Sequence, residues 1–267
     1  MEEYIFNDSR ETEEWERLRS IEAIFDPATR RQLTGAGLGP GWRCLEVGPG
    51  AGSVARWMSE SVGPSGRVIA VDTDTRFLRN LHAPNLEILK ADIGAIELEH
   101  STFDVAHARY VLIHLPRYKQ AFEKMVKGLK PGGWIVVEEP DFSAAQVIAG
   151  NQEDREAVGR VNRAIEKMFV GRGMDHTLGA RLPALFQKAG LRSISVENEA
   201  SPVQGGSGLA AMMKRSAIHL REKYIATGEA TAEDIERYGH FAEDRQSLAV
   251  YYATVRVRAQ KQSPTDA

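Results

Sequence analysis

Glycines stand at 48, 50 and 52 and a glutamate at 46 in the run Leu45-Glu46-Val47-Gly48-Pro49-Gly50-Ala51-Gly52. Alternating glycines let a chain turn tightly and bring its backbone close to a ligand. A dinucleotide loop, G-x-G-x-x-G, requires glycine at 53, where this chain has Ser53. The Glu46 carboxylate beside the loop repels a pyrophosphate and suits an ammonium group. These residue types favour a cationic amino-acid nucleoside over a dinucleotide. Two more carboxylates end apolar runs, Asp72 after 67–71 and Asp92 after 86–90. Asp72 suits ribose hydroxyls. Asp92 suits an exocyclic amino group, with Ile93 packing on a base. Each acid alone is equally a helix cap or turn former. Capping does not account for all three in order around the glycines.

The next two apolar runs end in further candidates. His107, Arg109, Tyr110 and His114 follow the fourth run; Glu138, Glu139 and Asp141 follow the fifth. Glu139, Asp141 and His114 are the candidates for acid–base work. Against that role stand capping of the next helix and pairing with an arginine for the acids, and packing under the sheet for His114. Alternation points His107 into the packing layer. His176, in a glycine-containing loop, is a solvated residue or a contact to substrate. No histidine has metal-ligand spacing with Cys44 or with a carboxylate cluster, so no metal is expected.

The elements that position these residues are legible from periodicity. An amphipathic helix is expected over 11–25, with Asp26-Pro27 breaking it. Strands are expected at 42–47, 67–71, 86–90, 103–106 and 134–138, with helices at 53–61, 75–81 and 117–129 and a turn at 131–133. Strand and helix alternate, which predicts a parallel sheet wound on both sides. Helices over 153–170, 178–189, 209–226 and 232–243 follow, with strands at 192–197 and 248–257. The chain is expected to be one domain, with 1–34 as a helical lid, 35–141 as the binding core and 142–267 as the rest of the sheet. Helices within 205–245 are read as insertions.

The 267 residues are 42% hydrophobic and 27% charged, as in ordinary globular proteins. A net charge of −3 gives no electrostatic footprint for nucleic acid. One cysteine, an acidic N-terminus unlike a signal peptide, and no long apolar run lead to the expectation of a cytoplasmic chain without membrane association.

As a set, these motifs resemble the class I S-adenosylmethionine-dependent methyltransferases over about residues 42–141. LEVGPGAG resembles their first motif, VIAVDTD the second and LKADI the third. FDVAHARYVLIHLP and LKPGGWIVVEEPD resemble the fourth- and fifth-strand segments, and the His-Ala-Arg…His-Leu-Pro segment resembles bacterial small-molecule, natural-product-type enzymes. The resemblance implies a Rossmann-like, doubly wound sheet of seven mostly parallel strands, the last antiparallel. It also implies S-adenosylmethionine as cofactor. Glu46 and Gly48, Gly50 and Gly52 would hold the methionine moiety, Asp72 the ribose with Thr73 flanking, and Asp92 and Ile93 the adenine. Ala108 or Arg109 would lie beside the cofactor. Tyr4 and Arg17 could fold over it, Arg17 reaching its carboxylate. The implied reaction is methyl transfer to O, N or C of a small molecule, by a monomer or homodimer. Other readings are a non-methylating cyclisation or rearrangement on the same fold, and an RNA or protein methyltransferase. A nicotinamide oxidoreductase is opposed by Ser53 and Glu46.

Overall fold

The computed structural model describes residues 11–263. In chain order they form α1 (Glu11–Gly35), β1 (Arg43–Val47), α2 (Ser53–Val62), β2 (Arg67–Asp72), β3 (Leu86–Lys90) and β4 (Phe103–Arg109). Next come α3 (Tyr118–Gly128), β5 (Leu129–Asp141), β6 (Gln146–Ala149), α4 (Gln152–Gly171), α5 (Leu178–Lys188) and β7 (Arg192–Glu199). The chain closes with β8 (Val203–Gln204), α6 (Gly208–His219), α7 (Arg221–Ile225), α8 (Ala232–Glu243), β9 (Leu248–Val250) and β10 (Ala253–Gln260). The described residues hold a seven-stranded sheet, in the order β3-β2-β1-β4-β5-β10-β7, and a three-stranded sheet, β6-β9-β8.

The large sheet is the Rossmann-like one expected. β1 pairs in parallel with β2 and β4, β2 with β3, and β4 with β5. β10 runs the other way: Lys261 exchanges backbone hydrogen bonds with Gly132 and Gly133 near the start of β5, while Arg256 meets Glu138 near its end. Cys44, Val68, Val105 and Val136 form an apolar row on one face, packed against Leu33 of α1, Ala36 just after it, and Val54, Met58 and Val62 of α2. α2 meets the sheet because its apolar residues recur at helical spacing. Two residues further along the same strands, Glu46, His107 and Glu138 replace the apolar row and are also buried.

Contacts divide the chain into two compact units. One comprises Phe25–Glu139, Ala180–Glu197 and the described residues from Val255, and carries nearly all of the large sheet. The other comprises the described residues up to Ile24, Pro140–Gly179 and Asn198–Thr254. In the second unit α4 is tied to α8 by Arg160, whose Nε and Nη2 donate to Asp234 Oδ1 at 2.9 and 2.8 Å. Asp234 also completes the capping box of α8 with Thr231.

Four local expectations are corrected. α1 runs unbroken through Pro27. Proline removes one intrahelical hydrogen bond, but Asp26 is held by Arg109 and Ser53, and tertiary anchoring overrides the local preference. The turn expected at 131–133 lies inside β5, where Gly132 has φ +78° and the β4–β5 register shifts, a bulge within the strand. The helix expected over 75–81 is a single 3-10 turn, Arg76–Leu78. The strand expected at 248–257 splits at Tyr251-Tyr252, so that β9 joins the small sheet and β10 the large one. The two rings take different neighbours, Tyr251 stacking edge-on to Tyr238 at 6.0 Å and Tyr252 on Phe142 at 5.4 Å.

Candidate functional site

The parallel pairing brings three acids and the glycine loop to the carboxyl edge of adjacent strands. Gly48 N donates to Val71 O at 2.9 Å, and Ala91 N donates to Asp72 O at 2.8 Å. The loop after β1, Asp72 at the end of β2 and Asp92 after β3 therefore stand side by side, where open parallel sheets bind ligands. Gly48 and Gly52 have φ +66° and +93°. A Cβ on Gly48 would lie 2.2 Å from Val111 Cγ2, and one on Gly52 2.6 Å from Leu81 Cδ2. Only glycine builds this cradle.

Asp72 is largely enclosed, and burial pushes its carboxyl up to about 6 although the amides of Asp74, Gly50 and Thr73 favour the anion. One of those amides, Gly50, belongs to the loop itself, so Asp72 and the loop are directly joined. Thr73 is exposed next to it. Asp92 forms a tight turn by accepting from Gly94 N at 2.7 Å, and Ile93 is buried beside it. Ala108, buried on β4, lies opposite Val47 in the register, next to the start of the loop.

Glu46, which the sequence assigns to an ammonium group, is buried with Oε2 2.6 Å from His107 Nδ1. The Nε2 atom of the same ring lies 3.2 Å from Glu138 Oε1. Carboxylate oxygens only accept, so a ring held between two of them carries protons on both nitrogens. Burial opposes that charge; the negative charge of Glu46 and the hydrogen bonds to Glu138 and Glu46 outweigh burial and push His107 up to about 9. Glu138 is likewise buried, which alone would raise it, but the hydrogen bond and charge of His107 hold it below the usual range. Its second oxygen accepts from Arg256 Nε at 2.9 Å, and Arg256 Nη1 donates to Glu197 at 3.1 Å. A polar row thus crosses β1, β4, β5, β10 and β7. His107 is buried in the packing layer, as alternation suggests. Arg256 has no place in the sequence reading and Asp26 only that of a helix breaker; the charge of Arg256 inside the apolar run Val255-Arg256-Val257 was the available signal.

Arg109 does not stand free at the strand end. Its Nη1 donates to Asp26 Oδ1 at 3.0 Å and to Thr29 Oγ1 at 2.8 Å, and Ser53 Oγ donates to the same Asp26 oxygen at 3.1 Å. Glu139 is fully buried and accepts three amides, from Val111 at 3.1 Å, Leu112 at 2.7 Å and Ile113 at 3.2 Å. It fixes the turn after β4, where Tyr110 takes φ +56° and packs edge-on to Phe25 at 5.1 Å. His114 ends the 3-10 turn Leu112–His114 that those amides begin.

Two candidates belong to the other unit. Asp141 accepts from the amide and hydroxyl of Ser143 at 3.0 and 2.6 Å, capping the turn Phe142–Ala144. Arg17 makes a two-pronged pair with Glu14 at 2.8 and 2.7 Å. Tyr4 lies outside the described residues. Among the described residues, no group of three or more His, Cys, Asp or Glu is placed to hold a metal, and no helix is long and apolar enough to cross a membrane.

The glycine cradle with its neighbouring acids is matched by a family model described as a methyltransferase domain, over residues 45–137. Over residues 45–137 this chain is similar to that methyltransferase domain. Methyltransferase str2 of Strobilurus tenacellus is 29% identical over 136 residues, 49% of this chain and 48% of that protein. A demethylmenaquinone methyltransferase of Lactococcus lactis is 34% identical over 103 residues, 36% of this chain and 41% of that protein. The chain thus spans less than half the length of these relatives. The fold is similar to that of Haemonchus contortus phosphoethanolamine N-methyltransferase 2, solved with phosphomonomethylethanolamine and S-adenosylhomocysteine. That likeness has a TM-score of 0.58 at 16% identity and covers 92% of this chain and 57% of that one.

Structures of that Haemonchus protein hold S-adenosylhomocysteine or S-adenosyl-L-methionine, and the residues present in this chain fit such a ligand. Gly52, the residue before α2, brings no side-chain oxygen to the helix's leading amides, and the first turn holds no acid. That helix end suits the carboxylate of an amino-acid ligand.

Proposed function

We propose that this chain transfers a methyl group from S-adenosylmethionine to a small-molecule acceptor, mainly by aligning the two. The observation that carries the reading is the adjacency of the glycine loop, Asp72 and Asp92 along one edge of β1, β2 and β3. In this reading the loop and the α2 terminus take the methionine carboxylate and Glu46 the ammonium. Asp72 accepts from the ribose hydroxyls with Thr73 beside it, Asp92 and Ile93 take the adenine, and Ala108 floors the loop. The cofactor, when bound, supplies a methyl already activated by its sulfonium. The protein's share is orientation and exclusion of water.

Glu139 and Asp141 are committed to backbone and hydroxyl donors, which supports transfer without a protein base. Such transfer suits an acceptor that presents its own lone pair or an electron-rich carbon. The small-molecule class of acceptor is supported by the similarity to the Lactococcus demethylmenaquinone methyltransferase and by a net charge of −3, which is not strongly basic. Calorimetry with S-adenosylhomocysteine tests the site. Asp72→Ala and Gly50→Val should each abolish measurable heat in a protein that still melts cooperatively; unchanged affinity in both would remove the assignment. Release of S-adenosylhomocysteine on incubation with acceptor candidates tests the transfer.

A further inference from the structure

Glu46, just before the glycine loop, and Ser53, just after it, are each tied into a set of buried or half-buried polar groups. Glu46 is bonded to His107 and through it to Glu138, and Ser53 is bonded to Asp26, which Arg109 joins to the Thr29 hydroxyl. Every member but Thr29 and Ser53 is ionisable, and His107 is the one joint that must give a proton to both sides. A neutral imidazole has one N–H and would leave either Glu46 or Glu138 a buried carboxylate without a donor. No other side chain among those bonded to Glu46 Oε2 in the described structure is a cation.

We propose that His107 is a positioning residue for the cofactor: with its Nε2–H anchored on Glu138, its Nδ1–H holds the Glu46 carboxylate at the glycine loop, where it meets the cofactor's ammonium group. This rests on reading the loop as the S-adenosylmethionine site. The charges facing the ring come from each packed element. Glu46 lies on β1 and Glu138 on β5, each in direct contact with the ring. Beyond them stand Arg256 on β10, Arg109 on β4 itself and Asp26 on α1. Glu46 Oε2 is occupied by the ring, which leaves Oε1 as the atom that can receive an ammonium. His107 therefore decides which oxygen Glu46 offers and where.

The test compares two ligands that differ in the amino-acid end, whose ammonium Glu46 would touch. S-adenosylhomocysteine carries the amino-acid end; 5′-methylthioadenosine keeps the adenosine and thioether but lacks it. His107→Gln should weaken S-adenosylhomocysteine about tenfold or more, the worth of one charge-assisted contact, and leave methylthioadenosine within about twofold. Equal weakening of both ligands, or of neither, would overturn the proposal. In the unsubstituted protein the ring nitrogen resonances of His107 provide a measurement that does not depend on the variant folding. They should move on adding S-adenosylhomocysteine and hold still with methylthioadenosine; resonances indifferent to both ligands would overturn it as well. If the unsubstituted protein binds neither ligand, the cofactor reading itself fails and this proposal goes with it.

Discussion

Arg109 Nη1 stands 3.0 Å from Asp26 Oδ1, fastening the last residue of β4 to the middle of α1. Both side chains are nearly enclosed, so the pair is a structural tie. Arg109→Ala leaves Asp26 with the Ser53 hydroxyl and the more distant Arg30. Loss of one partner from a buried pair is expected to lower unfolding stability by about 3 kcal/mol. Urea melts read this as a lower midpoint at unchanged slope; a loss below about 0.5 kcal/mol, the range of ordinary surface changes, would show the tie to be idle.

Glu139→Gln separates a structural acid from a catalytic one. The amide oxygen can still accept from Val111 and Leu112, but its NH2 group would face the Ile113 amide, donor against donor. A stability loss of about 1–3 kcal/mol is expected. Turnover per folded molecule should change by less than about tenfold, because no proton transfer passes through this group. A fall of about 100-fold or more would restore Glu139 as a general base.

Cofactor affinity should depend on pH through Asp72. Its carboxyl, pushed up to about 6, must be ionised to accept from two ribose hydroxyls. S-adenosylhomocysteine should therefore bind with pH-independent affinity above that value and progressively more weakly as pH falls through it. Calorimetry from pH 5 to pH 8, in about half-unit steps against the spread of carboxyl values, reads the limb directly. Asp72→Asn should bind weakly at every pH and show no such limb.

His107 carries a stability prediction of definite sign. Its value is raised from the ordinary 6.5 to about 9 in the fold. The folded state therefore keeps its proton where the unfolded chain has lost it. The stabilisation is complete below pH 6.5 and is lost as pH rises through about 9. On the order of 3 kcal/mol should disappear across that window. The loss should be absent from His107→Gln when chemical denaturation is repeated at the two ends of the window. A wild-type curve no steeper than the variant's would mean that the ring is not held as imidazolium.

The alternation of strand and helix and the order of the acids were legible because each depends on residues close in sequence. Helix α8 was expected at 232–243 and forms there, since its Thr231–Asp234 capping box is local. Glu46 shows where local reading stops. A carboxylate at a strand end next to glycines looks ligand-facing, and nothing within ten residues reveals His107 as its neighbour. The two are 61 positions apart, and Glu138 and Arg256 are 118 apart. When both faces of a sheet are covered, alternation does not tell which face is polar. Pro27 taught the converse, since a strong local breaker yields to contacts made by Asp26. The short strands β6 and β8 carry too few residues for any period to register.

The placement of β10 between β5 and β7 has a consequence for synthesis. β7 reaches the sheet only through β10, so when residues 192–199 leave the ribosome they have no strand to join. Glu138 waits for the same event, because its arginine is residue 256. The nascent chain must keep a gap open beside β5 until residues 253–260 emerge, then fill it with one strand that recruits another and neutralises a buried acid. A chain stopped before Ala253 would therefore lose two strands from the sheet while lacking only one in its sequence.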